Sequence, residues 1–178
     1  MIHLVKSKNF QMMISAKQTD KERQENISIR PVIVPDDIGL LQQWLGVGAD
    51  CLIPFYESLE ASSFIQSMMV WENDKPILQV DICEALFDDL GAGDDFAPGD
   101  YSLRLLFAPD APVDAISLGL YNCIDYVFLE KKASRILMLV HKSNELLIAW
   151  IKDTPFTLVK HIQPKPQHSL YVLNKPVH

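Results

Sequence analysis

Cysteine is scarce in this 178-residue chain, and the three present, Cys51, Cys83 and Cys123, form no CxxC pair and leave an odd count. Such spacing points to neither a disulfide framework nor a zinc site, so no metal is expected and a reducing compartment fits. Positive charge is short as well. The 16 Lys and Arg stand against 23 Asp and Glu, a formal net charge of −7, whereas a nucleic-acid binder draws its affinity from cations meeting phosphates. Long apolar runs are missing. Nothing approaches the roughly 18 to 20 residues that cross a bilayer, and residues 1–26 lack the apolar centre of a secretory signal. These absences describe a cytoplasmic protein with no nucleic-acid and no membrane partner, whose acidic surface suits a cationic or amine-bearing ligand. Internal repeats and low-complexity segments are also lacking.

What remains is ordinary globular material, 48% hydrophobic and 22% charged, enough for one well-buried core. Residues 1–26, rich in Lys, Gln and Glu, read as an N-terminal arm ahead of one domain at 27–178. A β-branched alternation predicts a strand over 27–34, with Pro31 placing it near an edge or a bulge. Asp36 then caps a helix carrying Ile38, Leu41, Trp44 and Leu45 at helical spacing. A second helix begins near Ile53 and passes into a strand ending at Trp71, followed by a polar turn and a strand over 76–83. An acidic loop rich in Gly and Pro leads to a strand over 101–107, in which Asp100, Ser102 and Arg104 alternate with Tyr101, Leu103, Leu105 and Phe107. A helix over 112–129, a strand over 135–140, a helix over 144–153 and strands over 156–161 and 169–173 complete the chain.

The order β-α-α-β-β-β-α-β-α-β-β, with residues at particular places in it, resembles the GNAT acyltransferase superfamily. Residues 29–45 look like its opening, a strand ending near Arg-Pro, a polar turn and a helix with a Leu-x-x-Trp-Leu pattern. Asn144 and Phe156 keep the twelve-residue spacing found between that family's Asn and the Phe of a Gly-Phe pair. The central strands, with Pro76-Ile77 and a Gly99-Asp100 opening after a long acidic loop, are most similar to the aminoglycoside 6'-N-acetyltransferases and the siderophore N-acyltransferases. The resemblance covers roughly residues 27–174. It implies an α/β (α+β) fold with a mixed, mostly antiparallel central sheet flanked by helices. It also implies acetyl-CoA or another acyl-CoA as co-substrate and a small-molecule primary amine as acceptor. A homodimer stays open.

The chain departs from that family in three places. The family holds the coenzyme A diphosphate in a Gly-rich loop whose bare N–H groups point from a helix N-terminus. Here the stretch 108–119 has no glycine before Gly119, loses donors at Pro109 and Pro112, and carries carboxylates at Asp110 and Asp114. A self-capped helix that binds nothing explains that stretch as well as an unusual coenzyme A contact does. Ile151 stands where many members have a Tyr that protonates the departing thiolate, and Pro155 replaces the Gly before Phe156.

Acyl transfer from a thioester to an amine needs a base for the amine proton and donors for the carbonyl oxygen. Asp100, which opens the central strand, is the first choice of base, and Asp81, on the same strand face as Gln79, is the second. If their strands pair, the two carboxylates could lie close and raise one pKa. Backbone groups of Leu105, Leu106, Phe107 and Ala108 are the candidates for the thioester, and Asn144 for the pantetheine arm or for capping its helix. Gln79, Ser102 and Arg104 are candidates for the acceptor, Arg104 equally for pairing with a neighbouring carboxylate. Asp88, Asp89, Asp94 and Asp95 form an acidic cluster that faces either a cationic acceptor or solvent. Cys83 and Cys123 read as core thiols. These choices describe an N-acyltransferase, with two alternatives: a GNAT-fold module that has lost coenzyme A and serves as a non-catalytic binding or interaction domain, or an unrelated α/β binding domain.

Overall fold

The computed structural model describes residues 26–90, 96–162 and 167–176. The 1–26 arm, save Asn26, and Asp94 and Asp95 of the acidic cluster lie outside the described residues. The described elements follow in the order β1 (Ile27–Pro31), α1 (Ile38–Leu45), α2 (Ala49–Glu60), β2 (Ile65–Glu72), β3 (Lys75–Glu84), β4 (Asp100–Phe107), α3 (Val113–Leu129), β5 (Arg135–His141), α4 (Glu145–Lys152), β6 (Thr157–His161) and β7 (His168–Asn174). That is the expected order. The strands form one sheet, β1-β2-β3-β4-β5-β7-β6. Every neighbouring pair is antiparallel except β4 and β5. Pro31 ends edge strand β1, where a missing N–H costs nothing.

Alternation along the strands sends two kinds of residue to the two faces. Val70, Leu78, Val80, Ile82, Ile136 and Met138 face α3 and α4 and form the main core. Gly119 lets α3 lie close to β3, since a Cβ there would meet Ile77 Cδ1 at 2.8 Å and Leu78 Cδ2 at 3.2 Å. On the opposite face α1 and α2 cover the β1–β3 side with Ile38, Leu41, Leu52 and Tyr56 against Met69. A separate cluster of Ala85, Leu90, Leu137, Ile162, Leu170 and Val172 covers the β5–β7 side. Between these two apolar patches runs a polar strip on β3 and β4: Gln79, Asp81, Ser102 and Arg104.

Asp37, not Asp36, is the residue before α1, and it gives no side-chain cap to the helix. Its carboxylate instead takes both arms of Arg30, at 2.6 and 2.8 Å, and the Ile33 N–H at 2.8 Å. A bidentate guanidinium pair outcompetes a single cap bond, and it ties the end of β1 to the start of α1.

Candidate active site

Strands β4 and β5 run parallel and stay in register only from Asp100↔Arg135 to Leu103↔Met138. Beyond that point β4 keeps β3 on one side, through Leu78↔Phe107, and β5 keeps β7, through His141↔His168. Neither has a strand on the side that faces the other. The wedge between them is a cleft of about 370 Å³, walled by Arg104, Leu105, Leu139, His141, Asn144 and His168 and floored by Leu103 and Met138. Backbone N–H and C=O groups on such an edge are strong, unsatisfied hydrogen-bonding groups. The His141 and His168 rings meet edge to face at 4.8 Å, and buried His168 Nδ1 has no hydrogen-bond partner among the described residues. The open edge of β4 suits a ligand rich in amides.

The candidates for this cleft fare differently. Leu105 lines it, whereas Leu106 packs towards α1 and α2 and Phe107 towards α3. Ala108 is already spent, its N–H on Ile77 O at 3.0 Å and its C=O on Ala111 N at 3.1 Å. Asn144 lines the cleft and accepts the Leu147 N–H at 3.1 Å as the cap of α4. Ile151 is buried in the core, so that face of α4 offers no acid.

Asp100 is engaged as a structural ion-pair partner. It is 2% exposed, takes the Arg135 guanidinium on both oxygens, with Nε at 2.8 Å from Oδ1, and accepts the Ala97 N–H at 2.8 Å. Burial works to raise its pKa, but the Arg135 hydrogen bonds and charge, together with the Ala97 N–H, outweigh it and hold the carboxyl below its usual range. Nor does it adjoin Asp81. The β3–β4 pairing sets Asp81 opposite Arg104 and ends at Glu84↔Tyr101, so Asp100 lies about 13 Å further along at roughly 3.3 Å per residue.

Asp81 has the environment that Asp100 lacks. Its Oδ1 accepts Ser67 Oγ and Gln79 Nε2. Burial pushes its carboxyl above the usual range, although those two hydrogen bonds and the Arg104 charge pull the other way. Tyr56 stands close enough for the Asp81 charge to add to burial and raise its hydroxyl to about 12, so it remains a proton donor. Ser67 also lines a second opening of about 360 Å³ with Tyr56, Glu60, Glu84, Tyr101 and Lys131. Asp81 lines neither cavity itself, but it is bonded to the wall of one through Ser67 and paired in register with Arg104, which walls the other.

Ser102 and Arg104 are engaged by a residue assigned to an acidic cluster. Asp88 is buried, accepts Ser102 Oγ and forms an ion pair with Arg104. Ser102 is 0% exposed, with its hydroxyl held by Asp88, and Asp88 is no solvated loop residue. Gln79, 4% exposed, serves Asp81. Sequence reasoning missed Ser67 and Tyr56, and placed Asp88 in an acidic cluster facing an acceptor or solvent rather than against Ser102 and Arg104. Counting back across the two-residue turn at Asn73-Asp74 would set Asp81 opposite Gln66. The bulge at Val70/Trp71 shifts the register and brings Ser67 there instead.

The N-terminus of α3 differs from the cleft. Pro109 and Pro112 have no N–H, and Asp114 Oδ1 takes the Ala115 N–H at 3.0 Å. Cys83 and Cys123 are buried, and burial lifts the Cys123 thiol to about 12. Among the described residues no group of His, Cys, Asp and Glu could hold a metal ion, and no helix is long and apolar enough to cross a membrane.

No protein-family model matches the sequence, and no curated protein does. Solved structures match well. An uncharacterized protein from Bacillus halodurans superposes with a TM-score of 0.74 at 18% identity, over 83% of either chain. AAC(6')-Ib, solved with ribostamycin and coenzyme A, gives 0.70 at 15% identity over 84% of this chain and 94% of its own. The N-acetyltransferase PseH of Campylobacter jejuni, in complex with acetyl coenzyme A, gives 0.66 at 15% identity over 84% and 99%. The parallel, splayed β4–β5 pair in an otherwise antiparallel sheet, with this agreement, defines the class: the chain has the GNAT fold.

Proposed function

We propose that this protein is an N-acyltransferase, moving a short acyl group, acetyl in the simplest case, from a pantetheine thioester such as acetyl-CoA to a primary amine of a small molecule. The observation that carries this reading is the placement of Asp81, a carboxylate of raised pKa bonded to Ser67 on the wall of one opening and paired in register with Arg104 on the wall of the β4–β5 cleft. Solved relatives in fold include an N-acetyltransferase in complex with acetyl coenzyme A and a spermidine N-acetyltransferase from Vibrio cholerae.

A thioester in the cleft supplies the electrophilic carbonyl. The free edge of β4 around Leu105 and the capping residue Asn144 offer hydrogen bonds to the amides of the pantetheine arm. The acceptor enters beside Ser67, where Glu60 and Glu84 favour a positively charged molecule. Asp81 receives the proton that the amine sheds as nitrogen bonds to the acyl carbon. A carboxyl with a pKa shifted towards neutrality is better matched to that task than an ordinary one. Ser67 and Gln79 fix the oxygen that does it.

The test is an amine screen at millimolar acetyl-CoA, read as free thiol released, with Asp81→Asn alongside. Amine-dependent thiol release by the parent, reduced at least about a hundredfold in the variant, is the expected result. Equal rates in both would remove Asp81 from the mechanism. Absence of release with every amine favours the second reading, a GNAT-fold binding module without catalysis, for which the proline and carboxylate content of 109–114 is the supporting observation.

A further inference from the structure

Taken as the donor site of an acyltransferase, the β4–β5 cleft is built for one half of its ligand and against the other. At the inner end it offers the unpaired edge of β4 and Asn144. These groups match the amides of a pantetheine arm. A diphosphate needs free backbone N–H groups and positive charge, and the GNAT resemblance looks for them at the N-terminus of α3, which follows β4 in the chain. Of the nine residues 108–116, two are prolines and four, Ala108, Ala111, Ala115 and Ile116, already donate their N–H within the protein. No glycine lies between Gly99 and Gly119 to let a phosphate approach the backbone. Asp110 and Asp114 are both exposed on that stretch and put negative charge beside the N-terminus of α3. Arg104 is the lone Arg or Lys among the described residues lining the cleft, and Asp88 already neutralises it.

We infer, on the basis of the acyl transfer proposed for this site, that the cleft recognises the acyl-pantetheine arm alone, and that the nucleotide diphosphate of coenzyme A adds no affinity and is repelled. The arm can come from a free coenzyme or from the prosthetic group of an acylated carrier protein, which presents pantetheine without a nucleotide.

Isothermal titration of the full chain with acetyl-pantetheine, acetyl-CoA and an acetylated carrier protein tests this. Acetyl-CoA should bind no tighter than acetyl-pantetheine, within about threefold, and should bind more tightly as NaCl screens the repulsion. The double variant Asp110→Asn, Asp114→Asn should raise acetyl-CoA affinity about tenfold and leave acetyl-pantetheine unchanged. Tighter binding of the carrier protein than of acetyl-pantetheine supports the inference and names the source as the carrier; equal or weaker binding supports it with a free thioester as the source. Acetyl-CoA binding ten times tighter than acetyl-pantetheine and weakening with salt would overturn the inference while leaving acyl transfer standing. Failure of all three ligands to bind would overturn both.

Discussion

Asp81 and Asp100 lie on neighbouring strands of the same sheet and are shifted in opposite directions, because burial dominates at Asp81 whereas the hydrogen-bonded Arg135 guanidinium outweighs it at Asp100. Two predictions separate them. Asp100→Asn leaves a half-buried Arg135 without its carboxylate and should cost about 2 kcal/mol of stability, read by urea or thermal unfolding. A carboxyl lowered in the folded state stabilises above its unfolded pKa of about 3.9. The cost of the substitution should therefore be full at neutral pH and shrink as pH falls below about 4. Asp81→Asn should leave the fold at least as stable as the parent at pH 7, because it removes a carboxylate whose ionised form burial disfavours, and that advantage should vanish in acid. The acid limb of kcat/KM should lie above the ordinary aspartate range, and Ser67→Ala, by removing a hydrogen bond to the carboxylate, should move it higher still. A limb that stays put in Ser67→Ala would exclude Asp81 as the titrating group.

At the scale of elements, most of the architecture was legible because it is periodic. Alternation in 101–107 and the apolar spacing of Ile116, Leu120, Ile124 and Val127 carry their own secondary structure, and each of the expected strands and helices of 27–174 is present within a few residues. The site was legible only in part. Asp81 and Gln79 share a face by local counting, but their ranking against Asp100 depended on Arg135, which lies 35 positions away and reaches Asp100 through a parallel crossover. Asp88 was hidden for the same reason, since nothing in an acidic loop says which carboxylate turns inward. The approach of α3 to β3 gives a third prediction. Gly119→Val should cost about 1–3 kcal/mol by overpacking against Ile77 and Leu78, measured by chemical denaturation, with little effect on ligand affinity because the cleft lies elsewhere.

At the scale of the molecule, the sheet is two ribbons, β1 to β4 and β5 to β6, joined by a short parallel seam whose base carries the Asp100–Arg135 pair. Everything above the seam is a ladder with its rungs missing. The amide hydrogens along the free edge of Leu105–Phe107 should therefore be among the fastest to exchange with deuterated solvent of any in the sheet's interior strands. A bound arm that supplies the absent rungs would splint one ribbon to the other. Exchange should then slow on β4 and β5 together, so that occupancy becomes readable in backbone amides that never touch the acceptor.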